Sequence, residues 1–274
     1  MAINPTSFRA RVARSAAFIG LAMALPTMSS ASLSSFIPSP VAPVIAAAVA
    51  PVIELDGTPS NGCPTNMARV GSSCVDKYEA SLVEIATDGT EAAYSPYEPP
   101  NGHHVRAVSQ ANVVPQAHIS MVEAKSACKA SGKRLCRAQE WKTACKGPEA
   151  TRYPYGNARV AGACVDTNRT APMTLLHQGE HSARTMNDPL ANQQDNTLEA
   201  TGSSPACTNG FDVHDMVGNV HEWTDDGSFR GGYYLDTSIN GEGCEYRTTA
   251  HSPVYYDYST GFRCCADADD ANGT

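Results

Sequence analysis

The 274-residue chain has no unbroken apolar run of the roughly 20 residues that a membrane-spanning helix needs. It also has no Cys-x-x-Cys pair, no internal repeat and no cluster of Lys or Arg. Each absence excludes something. Without paired cysteines the usual structural zinc sites lack their ligand spacing. Without a repeat, solenoids and propellers fall away. Without a basic patch there is nothing to grip phosphates, so nucleic acid is excluded as a partner. The balance of 20 basic and 28 acidic residues, net −8, points the same way.

The N-terminus carries an export signal. Arg9, Arg11 and Arg14 precede an apolar run from Ala16 to Leu25, and Ser29-Ser30-Ala31 supplies small residues for cleavage. Residues 1–31 are therefore read as a signal peptide, with an uncleaved anchor as the alternative. Residues 32–60 form a Pro/Ala-rich linker. Its apolar stretch from Val41 to Ile53 is interrupted by Pro43 and Pro51, which remove donors and block a helix. Cleavage near Ala50 is a second option. Loss of the signal removes three Arg from the 20 basic residues and no acid, leaving 17 against 28, or −11. Residues 61–270 are long enough for one sizeable core. The expected location is secreted, periplasmic or at the cell surface, with no membrane span once the signal is gone.

Ten cysteines suit that compartment: Cys63, Cys74, Cys128, Cys136, Cys145, Cys164, Cys207, Cys244, Cys264 and Cys265. An even number in an exported chain reads as disulfides. Cys63 and Cys74 flank a turn at Gly71 closely enough to staple two short strands. Asp88 to Val114, rich in Pro, Gly and Asn, reads as surface loop, and His103-His104 within it as solvated. Ser120-Met121-Val122-Glu123 is a capping box opening a helix that Gly132 stops. A second helix runs from Ala138 to Cys145, followed by Gly147. Regular structure beyond that point looks sparse, so the expected fold is an irregular, loop-rich α+β domain stabilised by disulfides.

Asp215 and Glu222 bracket a Gly218-Asn219 turn. Carboxylates and turn carbonyls together make a calcium site, since that ion takes six to eight oxygens. From spacing alone, the two acids could equally just cap turns. Tyr233, Tyr234, Tyr246, Tyr255, Tyr256 and Tyr258 crowd the C-terminal segment. Tyrosine combines an apolar face with a hydroxyl, which suits peptide or glycan contact, although at least half of these should pack in the core.

Separated stretches share one pattern. They are Ser120 to Cys128, Gly132-Lys-Arg-Leu135, Gln139-Glu-Trp141, Tyr153-Pro-Tyr-Gly-Asn157, Gly210 to Trp223, Arg230-Gly-Gly-Tyr-Tyr234 and Gly261-Phe-Arg-Cys264. In order and wording they resemble the formylglycine-generating enzyme, or sulfatase-modifying factor, family over about residues 63–267. The resemblance implies that family's irregular α+β fold, related to C-type lectins. It implies calcium on Asp215, Gly218, Val220 and Glu222. It also implies a Cys128–Cys264 bridge. Cys136 and Cys265 are both additions to the family pattern and are paired with each other. Cys145–Cys164 and Cys207–Cys244 would complete the set.

The family oxidises a protein cysteine to an aldehyde using O₂ and copper held by two cysteines, a soft-ligand arrangement that suits Cu(I). The first of those positions falls on Asp236 here, the family serine on Tyr233, and Cys244 lies near the second only with a shift in spacing. The catalytic pair is thus missing. A tryptophan usual before Glu222 is His221. The resulting expectation is a calcium-stabilised, non-oxidising module that binds a protein, peptide or glycan through Tyr233, Tyr234, Asp236 and His221. The alternative is a protein-cysteine oxidase with variant copper ligation and Cys244 as its catalytic thiol. A purely structural role at the cell surface is a third option.

Overall fold

The computed structural model describes residues 62–269. The expected signal peptide and linker lie outside the described residues. Three small sheets and two main helices carry the chain. β1 (Met67–Val70) and β2 (Ser73–Asp76) form the hairpin around Gly71. A left-handed Gly71 makes the turn, and the Cys63–Cys74 disulfide closes it as expected. β2 also pairs with β11 (Cys264–Asp267), which pairs with β6 (Arg134–Leu135), so the two ends of the domain share one sheet.

The second sheet corrects the expected long surface loop. β3 (Ala80–Ile85) sits between β4 (Glu91–Ala93) and β5 (Val105–Ser109), all antiparallel. Val105, Ala107 and Val108 are buried, so part of the Asp88–Val114 stretch is core strand despite its Pro and Gly. His103, at its outer edge, pairs with Glu84 at 2.6 Å and is half exposed.

α1 (Met121–Ala130) begins at the Ser120 capping box: the Glu123 amide donates to Ser120 Oγ, and Glu123 accepts from the Ser120 amide at 3.0 Å. It buries Met121, Ala124, Ala127 and Cys128, one face at helical spacing. α2 (Ala138–Lys146) is capped from Glu140, which accepts from the Arg137 amide, and it ends at left-handed Gly147. Short helical turns α3 (Pro172–His177) and α4 (Ala183–Met186) follow.

The third sheet carries the site. β7 (His221–Trp223) runs parallel to β10 (Thr260–Phe262) and antiparallel to β8 (Phe229–Arg230), which pairs with β9 (Arg247–Thr248). Trp223, Phe229 and Phe262 pack with Ile119 and Leu135 in one buried cluster, and Trp141, Met216 and Val217 anchor another.

All ten cysteines are paired, and none of the described residues is a free cysteine. Cys128–Cys264 and Cys136–Cys265 join as expected. The other two expected pairings are corrected: Cys145 bonds Cys244, and Cys164 bonds Cys207. The last turn of α2 faces the Gly243–Glu245 turn, where Lys142 and Lys146 both pair with Glu245 at 2.6 and 2.8 Å. Cys164 instead runs beside the loop that follows Cys207: the Asn219 amide donates to Val165 O, and the Asp215 amide to Cys207 O.

Candidate functional site

Alternation along β7 sends its side chains two ways. Glu222 points into the interior, where Arg263 meets it: Nε donates to Oε2 at 2.7 Å and Nη2 to Oε1 at 2.6 Å. Trp141 Nε1 adds a third hydrogen bond at 2.6 Å. The remaining donors of Arg263 reach the carbonyls of Asp76, Lys77 and His214, so this fully buried cation is satisfied throughout. Two further buried carboxylates lie near it. Glu79 accepts from Asn219 Nδ2 and, more weakly, from the Val220 amide. Asp215 accepts from the Gly202 amide through Oδ2, while its buried Oδ1 has no partner among the described residues. Burial, with Asp215 and Glu222 adding repulsion, pushes the Glu79 carboxyl well up. Burial lifts Asp215 to about 6. Glu222 alone is paired with the guanidinium, while Glu79 and Asp215 act on it through space.

The loop between β7 and this network needs its glycines. Gly218 has φ +82°, and a Cβ there would lie 2.3 Å from Val165 O. The Arg230-Gly-Gly turn is as tight. A Cβ on Gly232, at φ +76°, would sit 2.2 Å from Asp236 O. That close approach builds a turn in which Tyr233 and Asp236 exchange backbone hydrogen bonds at 2.9 Å. Asp236 Oδ1 then accepts from the amides of Ser238 and Ile239, and Oδ2 accepts from the Tyr246 hydroxyl at 2.7 Å.

On the other side of β7, rings gather around His221. Its imidazole stacks on Phe229 with centroids 5.1 Å apart, and lies 4.9 Å from Tyr233 and 5.5 Å from Tyr246. His251 stacks on Tyr255 at 3.9 Å and approaches Phe229 at 5.3 Å. Burial depresses His221 to about 4, so its ring is neutral at physiological pH. Its buried Nδ1 has no partner among the described residues. An unmade hydrogen bond of that kind costs about 1–3 kcal/mol. Asp257 supports the rim, accepting from the Tyr255 hydroxyl, the Ser259 amide and the Ser259 hydroxyl.

The Sulfatase-modifying factor enzyme 1-like domain matches residues 65–268. The chain belongs to this family. It is 30% identical to the formylglycine-generating enzyme of Mus musculus over 116 residues, covering 41% of this chain and 27% of that one. It is 29% identical over 171 residues to the inactive C-alpha-formylglycine-generating enzyme 2 of Bos taurus, covering 56% and 50%. It is 26% identical over 190 residues to the formylglycine-generating enzyme of Mycobacterium tuberculosis, covering 56% and 57%. The chain thus spans between about a quarter and about half of the first two relatives' length. Among solved structures, PvdO from Pseudomonas aeruginosa superposes with a TM-score of 0.43 at 16% identity, covering 71% of this chain and 80% of that one. The Major Tropism Determinant U1 variant does so with 0.42 at 13%, covering 76% and 54%.

Within this sulfatase-modifying-factor domain the residues present do not fit copper. Cys244, the one cysteine near a copper position, is bonded to Cys145 and has no thiol to offer, which corrects its expected role as a catalytic thiolate in the oxidase alternative. Asp236 is engaged by Tyr246 and two amides. The fit to calcium is mixed. The orphaned Oδ1 of Asp215 suits a cation, whereas both oxygens of Glu222 are held by Arg263 and one also by Trp141. Among the described residues no group of three or more His, Cys, Asp or Glu side chains is arranged to hold a metal. The calcium set expected here has only two such side chains, its other members being the carbonyls of Gly218 and Val220.

The structure brings Tyr233, Asp236 and His221 together and puts Tyr234 behind Tyr233 in the core, without surface of its own. Tyr234 is fully buried, its hydroxyl donating to Asn192 Oδ1 at 3.1 Å, beside Tyr258, Val165 and Met173. It is a core residue, packed edge-on against Tyr233 at 5.3 Å and in one cluster with Tyr258. Of the six tyrosines, Tyr234, Tyr246 and Tyr258 are buried, and Tyr233, Tyr255 and Tyr256 reach the surface. Sequence reasoning missed Phe229, His251 and Asp257 on this face, and Glu79 and Arg263 beneath it. Only Arg263 carried a signal, as part of the Gly261-Phe-Arg-Cys264 motif.

Proposed function

We propose that the protein is an exported, non-oxidising binding module of the sulfatase-modifying-factor family, stabilised by calcium, whose ligand docks on the aromatic face around His221. The observation that carries this reading is the Cys145–Cys244 disulfide. It takes the one cysteine near a copper position out of thiol chemistry and ties the Tyr246 segment beside His221. The face left above it, with Tyr233, His251 and Tyr255 half-buried, has the mixed apolar and hydroxyl character that suits a protein, peptide or glycan. Five disulfides fit an extracellular or periplasmic compartment.

Calcium at Asp215, with the Gly218 and Val220 carbonyls and Glu222, would favour the charged form of the buried Asp215, whose Oδ1 has no partner among the described residues. The ion would supply charge neutralisation and a rigid loop; Asp215 would give it Oδ1, and Glu222 would share its carboxylate with Arg263. Three measurements test this reading. Peptide and glycan arrays are probed with the folded, calcium-loaded chain and with Tyr233→Ala; a ligand lost in the variant supports the face. Thermal unfolding with calcium and with EDTA tests the ion, which predicts a higher Tm with calcium for the parent and no difference for Asp215→Ala. Stoichiometric Cu(I) binding accompanied by peptide-cysteine oxidation would overturn the non-oxidising assignment.

A further inference from the structure

The chain has six lysines, and four of them are ion-paired: Lys77 with Asp212, Lys133 with Asp76, and Lys142 and Lys146 with Glu245. The side chains of the other two, Lys125 and Lys129, have no partner among the described residues. Both are exposed, and they stand one turn apart on the same side of α1. Like charges at that spacing repel each other. Lys129, in the last turn, offsets the negative end of the helix, but Lys125 lies too early for that role.

Both lysines line one open cavity with a volume of about 510 Å³, within the range of small-molecule sites. Its lining also includes Lys133, Arg134, Asp225 and the buried Leu135. Two of these cations are already neutralised and rigid. Lys133 Nζ donates to both oxygens of Asp76 at 2.8 and 2.9 Å, and Arg134 pairs with Glu140 and Asp267. Asp225 is also fixed: its amide donates to Cys136 O at 3.0 Å, and its Oδ1 accepts from the Ala138 amide at 3.3 Å. Its Oδ2 has no hydrogen bond from the described residues. The two unpaired lysines outnumber Asp225, so the cavity keeps a positive excess in a chain whose net charge is −8.

This lining selects among anions. Asp225 opposes a second negative charge on the ligand, which favours a monoanion over a phosphate or a polyanion. The same carboxylate accepts a hydrogen bond from a hydroxyl. Lysine is a point charge and demands no planar two-oxygen edge, so a carboxylate and a sulfate ester suit it equally. Leu135 is the one large apolar residue in the lining and no ring is present, which leaves little to hold an apolar peptide side chain. A singly charged, hydroxyl-bearing ligand of this size is an acidic sugar.

We propose that the cavity binds an acidic sugar, with its carboxylate or sulfate ester between Lys125 and Lys129 and a ring hydroxyl donating to Asp225. The site shares no residue with the aromatic face and does not depend on it.

Calorimetric titration of the full chain, with disulfides intact, tests this with glucuronate, glucose 6-sulfate, glucose and acetate. Glucuronate or glucose 6-sulfate should bind at least ten-fold more tightly than glucose or acetate, and added salt should weaken that binding. The tighter of the two acidic sugars identifies the anion. Lys125→Gln combined with Lys129→Gln keeps good helix formers on α1 and should weaken the acidic sugar at least ten-fold. Asp225→Asn keeps an oxygen for the Ala138 amide and should weaken the acidic sugar at least three-fold without weakening acetate. Near-ultraviolet circular dichroism confirms that the variants fold. Glucose binding as tightly as the acidic sugars, no binding at tens of millimolar, or a double lysine variant that binds like the parent overturns the proposal. Acetate matching glucuronate would reduce the cavity to a simple anion site and overturn the sugar assignment. Glucose 6-phosphate binding far more tightly than the sulfate would overturn the preference for a single charge, and the ligand class with it.

Discussion

Arg263 and Glu222 form a two-point ion pair in which neither side chain is more than 1% exposed. A buried pair is expensive to desolvate, so its net contribution is small while both members are present and large once one is removed. Arg263→Met leaves Glu222 charged among Glu79 and Asp215 with its cation gone. Chemical denaturation in EDTA should show a loss of about 3–5 kcal/mol. Adding Glu222→Gln, which keeps an acceptor for Trp141, should recover part of that loss. A single variant as stable as the parent in EDTA would overturn this account of the pair.

Glu140 gives a second, acid-sensitive interaction at the start of α2. Burial alone would raise its carboxyl, but hydrogen bonds from Arg134, Ser73 and the Arg137 amide outweigh that and bring it to about 2. A carboxyl depressed on folding contributes stability above its unfolded value, near 4.5, and loses it as pH falls toward 2. Arg134 is partly solvated, which discounts the effect to about 1–2 kcal/mol. Urea unfolding of the parent and of Glu140→Gln should therefore differ by a constant gap above pH 5 that narrows by this amount by pH 2. A gap independent of pH would assign the pairing no role in acid stability.

Local chemistry was readable in the sequence and non-local pairing was not. The Ser120–Glu123 box and the Gly71 turn each lie within a few residues, and both elements form where expected. β4 and β5 are three and five residues long and are recruited by β3 across intervening Pro99, Pro100 and Gly102. No periodicity survives over so few positions, so the turn residues dominated the reading. Tyr233 and Tyr234 are indistinguishable by type, and only the packing of Tyr234 against Asn192 and Tyr258 distinguishes the core residue from the surface one. Asp215 and Glu222 were singled out from the motif as expected calcium ligands, but Arg263 as the partner of Glu222 lies 41 residues away and follows only from the β7–β10 register.

Gly232 and Gly227 separate backbone strain from crowding. Their φ values are nearly equal, +76° and +77°, but a Cβ on Gly227 meets nothing within 4 Å, whereas one on Gly232 would overlap Asp236 O and Thr237 Cα. Gly227→Ala should cost about 1–2 kcal/mol from the left-handed backbone alone. Gly232→Ala must also open the Tyr233–Asp236 turn, so thermal unfolding should show a clearly larger loss. Equal losses would indicate that the turn relaxes freely, in which case it does not fix the position of Asp236.

The Cys145–Cys244 bridge makes the prediction that reaches furthest, because it joins stability to the candidate site. Its cysteines are 99 residues apart, against 11 for Cys63–Cys74. If the bridges act by restricting the unfolded chain, the longer loop contributes about 2 kcal/mol more. Paired Ser substitution at Cys145 and Cys244 should therefore lower stability more than the same change at Cys63 and Cys74. Non-reducing digestion and mass spectrometry should first recover a peptide linking Cys145 to Cys244; a Cys145–Cys164 link would overturn the connectivity and the argument with it. Tyr246 lies two residues beyond Cys244, under His221, and hydrogen-bonds Asp236. Release of the bridge should therefore weaken ligand binding at the aromatic face as well as stability. Loss of the Cys63–Cys74 bridge, in a separate cluster with Met67, should lower stability and leave binding intact.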